Sequence, residues 1–314
     1  MLFLFWLDNR GVELDITTRN ISKRDFYWTT SFNVGYNQSC VTDLGGNDNV
    51  IMYYLGDNVN QNLTYLLLNQ PLGVIKGYKT EIFKDWNDVY DDKTVWVEDP
   101  AVMGTRPGML KYVDTNKDGV IDDDDKVILG QALAPLNGGF TSILGFKGFT
   151  LTAFFNFSVG GSIVNSNVTK LEQYTAGNNN SYMYVLDAFR NVNPMIGDQG
   201  YTGAYYPTPS SYSSPSTART YTSNIIDKWV QDGSYLRLKT LSLAYQIPDK
   251  FVRKAGIKDL VVGVSANNYF TWTRYKGYDP ESSSSLGTSN SRIGIDYSSY
   301  PAVKTILFNM SINF

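Results

Sequence analysis

The last stretch of the chain alternates between apolar and polar side chains. From Ile306 to Phe314, apolar residues take every second position, and Asn309, Ser311 and Asn313 lie between them. Because successive strand residues point to opposite faces, this pattern predicts a β-strand with one apolar face. Its length suits the ~9–11 residues that a tilted strand needs to cross a bilayer, although a soluble β-sandwich could end on the same pattern. The apolar positions are Ile306, Phe308, Met310, Ile312 and Phe314.

The same alternation recurs along the rest of the chain. It is clearest from residue 149 to residue 159, where large apolar residues mark every second position. A change of parity near residues 239–240 predicts a β-bulge in another strand. Residues 25–42 place so many aromatic rings on one face that lipid or a large core must cover them. Strands are predicted over residues 12–17, 25–42, 73–83, 140–146, 149–159, 234–247, 260–272 and 306–314.

The connections between these strands are alternately short and long. Outer-membrane barrels have short turns on the inner side of the membrane and long loops outside. The pattern therefore predicts an all-β fold, an antiparallel transmembrane β-barrel segment of about eight strands with long extracellular loops, and a soluble β-sandwich is the alternative. Short helices are expected at residues 168–174 and 182–190. Turns are predicted at 22–24, 147–148 and 248–257, and long polar segments at 43–70, 84–110, 160–228 and 279–299.

The amino-acid composition excludes several classes of function and says less about the fold. The 314 residues include no His and a single Cys, Cys40, which excludes disulfides within the chain, thiolate zinc sites and a histidine base. The net charge of -3 argues against a nucleic-acid binder. No apolar run approaches the ~18 residues of a membrane helix, and the opening MLFLFW is too short for a signal peptide. We expect neither an enzyme nor a nucleic-acid partner.

An acidic segment within residues 109–130 follows the EF-hand calcium-loop pattern. Oxygen-bearing side chains stand at the coordinating positions, and Gly119 stands where the loop turns sharply. Asp125 replaces the usual bidentate Glu, which lowers the expected affinity for calcium. The alternative is a solvated acidic turn held by side-chain-to-backbone hydrogen bonds; in both cases the role is structural, and no catalytic cofactor is expected. The predicted calcium ligands are Asp114, Asn116, Asp118, the Val120 carbonyl, Asp122 and Asp125.

Seven stretches of the chain share their order and spacing with one family. They are NRGVELDITTRNI, DFYWTTSFNVGYN, GYKTEIF, PGMLKYVDTNKDGVIDDDDKVILG, WVQDGSYLRLKTLSLAYQIP, GYDPE and GIDYSSYPAVKTILFNMSINF. Together they resemble the C-terminal part of SusC/RagA-type TonB-dependent outer-membrane transporters, and the resemblance covers residues 9–314.

This resemblance implies a segment of a ~22-stranded barrel with a plugged lumen, placed in the bacterial outer membrane. It also implies TonB-driven import of oligosaccharides or peptides, with a SusD-like surface lipoprotein as partner. Residues 1–8 do not resemble the family. The signal peptide, the plug and the TonB box that contacts the TonB complex are not found, so we expect a truncated reading frame. The substrate is not given by the sequence, because the plug, loops and lid would select it.

Several residues are candidates for contacts or assembly. Tyr205, Tyr206 and Tyr212 lie in the long loop at 160–228 and are candidates for substrate or partner contact. Glu13 and Asp15 are interpreted as polar lumen wall rather than as an acid–base pair. The resemblance implies that the terminal strand is an outer-membrane assembly signal. Its residues are Phe308, Met310, Ile312 and Phe314.

Two other functions are alternatives to the barrel segment. A secreted, calcium-stabilised β-sheet module could use the aromatic residues to bind glycans. A hydrolase is disfavoured because the chain has no His and no nucleophile motif. Membrane fractionation distinguishes the barrel segment from the soluble module, because only the barrel segment needs detergent to be extracted.

Overall fold

The computed structural model describes the strands and part of their connections. The described residues are 6–46, 49–55, 61–91, 95–96, 110–171, 225–253, 256–281, 294–296 and 300–314. Their strands are β1 (Trp6–Ser22), β2 (Phe26–Asp43), β3 (Asn49–Leu55), β4 (Gln61–Leu67), β5 (Val74–Gly77), β6 (Thr80–Ile82), β7 (Val95–Trp96), β8 (Leu110–Tyr112), β9 (Val120–Ile121), β10 (Val127–Gln131), β11 (Leu136–Phe146), β12 (Phe149–Val159), β13 (Ser162–Asn165), β14 (Val230–Asp232), β15 (Tyr235–Gln246), β16 (Asp259–Thr273), β17 (Ile295–Asp296) and β18 (Thr305–Asn313). Their α-helices are α1 (Trp86–Asp91), α2 (Ser166–Leu171) and α3 (Asp249–Val252), and 3-10 helices lie at Asp123–Asp125 and Asp227–Trp229. In this part of the chain, no helix has the length and apolar character needed to cross a membrane.

One large sheet contains seven long strands in the order β1-β2-β11-β12-β15-β16-β18. Every neighbouring pair is antiparallel, and each strand pairs with the preceding strand of this sheet in the sequence. The sheet is therefore an antiparallel meander, which confirms the predicted all-β fold. Within the described residues β1 and β18 are its two edges, and no pairing joins them into a closed ring.

Cross-strand pairing gathers the apolar positions of the large sheet on one face. Phe140 of β11, for example, pairs with Phe32 of β2 and with Phe155 of β12, and directly opposed residues share a face. A register shift between Leu238 and Thr240 keeps the face continuous across β15, at the predicted bulge. The outer face, as we name it, includes Val12, Leu14, Ile16, Phe26, Trp28, Phe32, Val34, Phe140, Leu144, Phe146, Phe149, Leu151, Phe155, Phe157, Leu236, Leu238, Leu241, Leu243, Tyr245, Val262, Val264, Phe270, Trp272, Ile306, Phe308, Met310 and Ile312.

The opposite face of the large sheet is mostly polar. Glu13 and Asp15 of β1 lie on it, in register with Gly35 and Asn33 of β2. In the next pair on this face, the hydroxyl groups of Thr17 and Ser31 are hydrogen-bonded at 3.0 Å. A sheet with one apolar and one polar face suits a wall between lipid and a water-filled lumen.

The three long connections leave the same end of the large sheet. They join β2 to β11, β12 to β15 and β16 to β18, and they carry four smaller sheets with the orders β10-β5-β4-β3, β14-β13-β17, β6-β8 and β7-β9. At the other end, short turns join β1 to β2 and β11 to β12, and a turn containing α3 joins β15 to β16. The predicted alternation of short and long connections is therefore present in the structure.

The buried hydrophobic clusters lie mainly among these connections rather than in the large sheet. In one cluster the rings of Tyr78 and Tyr112 meet edge to face, with centroids 5.3 Å apart. Side chains far apart in sequence meet here, which ties the first long connection to the second. The first cluster contains Tyr78, Tyr112, Ile121, Val168, Ile226 and Trp229. The second contains Ile75, Val164, Ile225 and Ile295.

Two predictions about the first long connection are wrong. Residues 73–83 were predicted to be a strand of the barrel wall, but they form β5 and β6, which belong to smaller sheets. The neighbouring residues Val74 and Ile75 are both buried, because the layer of connections covers both sides of β5. Residues 43–70, predicted to be a loop, contain β3 and β4. Within the described residues the large sheet therefore has seven strands, where about eight were predicted.

The predicted helix at residues 168–174 overlaps α2, which begins at Ser166, and residues 172–174 lie outside the described residues. The predicted helix at 182–190 lies outside the described residues. The predicted turn at 248–257 contains the short helix α3.

Gly138 is a position where we expect a side chain to disrupt the sheet. A Cβ atom there would clash with the carbonyl oxygen of Asn33 and with the ring of Phe157. Overpacking of this kind costs roughly 1–3 kcal/mol, so Gly138→Ala should lower the unfolding temperature of the folded protein. Gly35→Ala is the matched control, because the nearest atom to a Cβ there is the Glu13 Cγ at 3.6 Å. An equal drop in unfolding temperature in both variants would show that the neighbouring atoms shift and remove the clash at Gly138.

Candidate functional site

A buried arginine of β15 is the centre of a polar cluster on the inner side of the sheet. Only 3% of the Arg237 side chain is exposed. Its Nη2 donates to Asp279 Oδ1 at 2.5 Å, and its Nη1 donates to Glu281 Oε2 at 2.6 Å. Its Nε donates to the Thr271 hydroxyl at 3.0 Å. All three guanidinium nitrogens are therefore engaged, and two carboxylates balance the positive charge.

Glu281 joins this arginine to side chains of β12 and of β15. Its Oε1 accepts hydrogen bonds from Asn156 Nδ2 of β12 at 2.6 Å and from the Tyr235 hydroxyl of β15 at 2.9 Å. Its Oε2 accepts from Lys239 Nζ at 3.0 Å as well as from Arg237. The carboxylate thus fixes the segment that follows β16 against the wall of the sheet.

Asp279 links the same arginine to the backbone of two other residues. Its Oδ1 accepts from the Glu281 N–H at 2.9 Å, and its Oδ2 accepts from the Ala302 N–H at 2.8 Å. Burial disfavours the charged form of Asp279. The hydrogen bond from Arg237 and the bonds from the two N–H groups outweigh burial, so the pKa of Asp279 lies below its ordinary value.

The pKa of Glu281 is also lowered. Burial raises this pKa. Hydrogen bonds from Lys239, Asn156 and Tyr235 and the charge of Arg237 lower it by more than burial raises it. Both carboxylates are therefore ionised at neutral pH, and we name the group formed by Arg237, Asp279 and Glu281 the arginine cluster.

We expect acid to loosen the arginine cluster. A carboxylate whose folded pKa lies below its unfolded pKa stabilises the folded state above the unfolded pKa, and this contribution is lost as the pH falls through the folded pKa. The unfolded values are near 3.8 for Asp279 and 4.5 for Glu281. Lowering the pH from about 6 to about 3 should therefore reduce protection of the Ala302 N–H in hydrogen exchange, corrected for the intrinsic rate. The Gln246 N–H, bonded to the Gly148 carbonyl, is the control; equal change at both N–H groups would contradict the expectation.

The sequence pattern alone does not reveal this cluster. Its one local signal is a charged residue, Arg237, placed between Leu236 and Leu238 in a predicted membrane strand. The partners Asp279 and Glu281 follow 42 and 44 residues later. Because side-chain alternation reports only local geometry, it could not show that these residues meet.

The acidic loop folds into successive tight turns. Asp114 accepts from the Lys117 N–H at 2.6 Å and from the Gly119 N–H at 2.8 Å. Asn116 accepts from the Asp118 N–H at 3.0 Å, and Asp118 accepts from the Val120 N–H at 2.8 Å. Gly119 has a φ of 88°, a conformation that glycine adopts without steric cost. The sharp turn predicted at this glycine is therefore present.

The last residue of the loop is fully buried. Asp125 accepts from the Thr115 N–H at 2.7 Å and from the Asp122 N–H at 3.0 Å, and Asp122 accepts from the Asp124 N–H at 2.9 Å. Asp122 and Asp125 thereby form a capping box around the helical turn Asp123–Asp125. Within the described residues, no group of three or more His, Cys, Asp or Glu side chains is placed to hold a metal ion. The geometry matches the acidic-turn alternative, and calcium binding stays a prediction.

The terminal strand carries its apolar side chains on the outer face. The exposed fractions are 85% for Phe308, 66% for Met310, 39% for Ile312 and 74% for Phe314. Phe308 pairs with Val264 and Met310 pairs with Val262, both on the outer face of β16. Such exposure suits contact with lipid; the assembly role of this strand stays a prediction. The loop residues Tyr205, Tyr206 and Tyr212 lie outside the described residues.

Known proteins with a similar sequence are TonB-dependent receptors. TonB-dependent receptor P3 of Formosa agariphila is 30% identical over 313 residues, which are 98% of this chain and 29% of that protein. TonB-dependent receptor SusC of Bacteroides thetaiotaomicron is 26% identical over 98% of this chain and 26% of that protein. The chain thus spans less than a third of the length of these relatives. No family model matches the chain.

A solved structure supports the same fold. The RagAB peptide transporter aligns with a TM-score of 0.69 and 21% identity, over 98% of this chain and 29% of the matched chain. The open-open state of the RagAB peptide importer aligns with a TM-score of 0.68. These alignments favour the membrane barrel over the soluble sandwich.

The amphipathic meander, with its long connections at one end, defines the class of protein: a segment of an outer-membrane β-barrel wall. Over nearly its whole length the chain is similar in sequence to TonB-dependent receptors, SusC among them, which confirms the resemblance expected from the seven stretches. These receptors are bacterial outer-membrane proteins, which confirms the predicted location. Receptors of this kind are transporters and not enzymes.

Proposed function

We propose that this chain forms part of the barrel wall of a nutrient importer in the outer membrane. The observation that carries the proposal is the continuous apolar face that runs from β1 to β18, opposite a polar face. A wall of this kind separates lipid from a polar lumen through which solutes pass. The substrates proposed for the complete receptor are oligosaccharides or peptides.

The similarity to SusC and to the RagAB peptide transporter supports this choice of function. By the same similarity we propose a SusD-like surface lipoprotein as partner and the TonB complex as the source of energy for import. Tyr205, Tyr206 and Tyr212 are proposed to contact the substrate or the lipoprotein, because they lie in the long loop at 160–228.

Deletion of the gene in its own host tests the proposal. We expect the deletion strain to lose growth on either a peptide mixture or an oligosaccharide mixture as sole carbon source, and plasmid-borne gene to restore it. Pull-down of the tagged receptor from detergent extracts should recover a surface lipoprotein. Unchanged growth and uptake on both mixtures, together with the absence of a copurified lipoprotein, would contradict the proposal.

We further propose that the acidic loop binds calcium as a structural ion. A carboxylate offers about four acceptor positions, so the hydrogen bonds of Asp114 and Asp118 leave oxygen lone pairs for a cation. The ion would also relieve repulsion among the clustered carboxylates. The alternative is an acidic turn that the side-chain-to-backbone hydrogen bonds hold without an ion.

Calorimetry on the purified receptor decides between these two alternatives. Asp118→Ala should abolish the heat of calcium binding, because Asp118 stands at a coordinating position. Asp123→Ala is the control and should change little, since the Asp123 carboxylate is exposed and pairs with Lys126 at 2.6 Å. Equal effects of both substitutions, or no heat with about millimolar calcium, would favour the acidic turn.

A further inference from the structure

The ladder that holds the terminal strand stops before its partner strand ends. Pairing between β16 and β18 begins at Asp259 with Asn313 and stops at Asn267 with Thr305. β16 continues to Thr273, six residues beyond that last pair, without a β18 partner. The start of β18 is therefore not fixed by backbone pairing to the outer end of β16.

The backbone of β16 departs from regular strand geometry where the ladder stops. Asn268 has a φ of 58°, which is rare outside glycine. A register shift between Leu238 and Thr240 of β15 lies beside it. A cavity of about 330 Å³ separates the end of β16 from the chain that leads into β18, and its lining includes Trp272, Pro301 and Lys304. The segment before β18 must therefore be held across a gap.

Two side-chain contacts cross this gap. Asn268 Nδ2 donates to the Val303 carbonyl at 3.1 Å. The Asp279 carboxylate accepts from the Ala302 N–H with one oxygen and from Arg237 with the other. A bond to an ionised carboxylate is roughly twice as strong as a neutral one, so Asp279 is the main link.

We infer that Asp279 fixes the register of the terminal strand by tying Ala302 to Arg237 in the wall. Arg237 is held in place by three partners, so it presents Asp279 at a defined position. Ala302 lies three residues before β18 begins, and its position determines which residue of β18 meets Asn267. We name the chain of contacts from Arg237 through Asp279 to Ala302 the register lock.

Register matters here because strand side chains alternate. A slip of one residue would turn Phe308 and Met310 toward the polar lumen and would turn Asn309 toward lipid. A slip of two residues would keep the faces but would shift every pair of the ladder. Glu281 differs from Asp279 in this respect, since its side-chain contacts reach Asn156, Tyr235, Arg237 and Lys239 and not the segment before β18.

Disulfide trapping in the receptor inserted in the outer membrane tests the register lock. In a Cys40→Ser background, Ser265→Cys with Leu307→Cys reports the observed register, and Ser265→Cys with Asn309→Cys reports a slip of two residues. Asp279→Ala should lower the in-register disulfide and raise the slipped one. Glu281→Gln, which keeps the link to Ala302, should leave both yields unchanged.

The outcomes separate the inference from a general structural role. An unchanged in-register yield in Asp279→Ala overturns the inference, and so do equal losses in Asp279→Ala and Glu281→Gln. If Asp279→Ala is not inserted at all, Asp279→Asn decides, since it retains an acceptor but loses the charge. We expect Asp279→Asn to lower the in-register disulfide below its yield in Glu281→Gln, and equal in-register yields in these two variants overturn the inference. Disulfide yield does not depend on uptake, so failure of the proposed transport function would leave this test intact.

Discussion

Lysine on the outer face of the terminal strand should block insertion of the receptor into the outer membrane. In the double variant Phe308→Lys with Ile312→Lys, two charged groups replace side chains that lie on the apolar face in register with Val264 and Leu260. A lysine facing lipid costs about 2–4 kcal/mol near the midplane and less toward the interfaces. We expect the folded, heat-modifiable form of the receptor to fall severalfold in outer-membrane fractions.

The matched control places lysines on the other face of the same strand. Ser311→Lys with Asn313→Lys adds the same charge, and its side chains point toward the polar side of the sheet. This control should insert at close to the unmodified level. If the two double variants insert equally well, the outer face of β18 has been assigned to the wrong side.

Removal of the buried arginine should destabilise the folded receptor. Arg237→Ala leaves the carboxylates of Asp279 and Glu281 partly buried without their main cationic partner. Breaking a buried ion pair by removing one partner costs about 3–5 kcal/mol. We therefore expect a lower midpoint of urea unfolding for the purified receptor in detergent.

Arg10→Ala is the control for loss of a positive charge. The Arg10 side chain is 87% exposed and lies 3.6 Å from Asp8, and exposed ion pairs contribute little to stability. Its unfolding midpoint should stay close to that of the unmodified protein. A midpoint for Arg237→Ala that equals the Arg10→Ala value would show that solvent replaces the lost guanidinium without cost.

The alternation of side chains was sufficient to predict the large sheet. Each wall strand contacts lipid on one side and the lumen on the other, so its sequence carries a period of two that can be read locally. The bulge near residues 239–240 was visible for the same reason, because an extra residue changes the parity of the apolar positions. Of the eight predicted strands, only residues 73–83 were assigned to the wrong sheet.

The layer of connections could not be predicted in the same way. Its contacts join residues far apart in the chain, as in the bond from the Thr80 hydroxyl to Asp227 at 2.7 Å. Val74 and Ile75 are buried on successive positions, so the strand that contains them has no polar face to mark it. The arginine cluster was missed for the same reason, because Arg237 lies in β15 and Glu281 follows β16, so that the two residues meet only in the fold.

The central claim is that the large sheet is a membrane wall with its apolar face toward lipid. Spin labels placed one at a time from Ile306 to Asn313, in a Cys40→Ser background, test it directly in the membrane-inserted receptor. Accessibility to oxygen, which concentrates in lipid, should peak at Ile306, Phe308, Met310 and Ile312, and accessibility to a water-soluble nickel complex should peak at the positions between them. Equal accessibility of both sets to the water-soluble reagent, or the opposite alternation, would contradict the account.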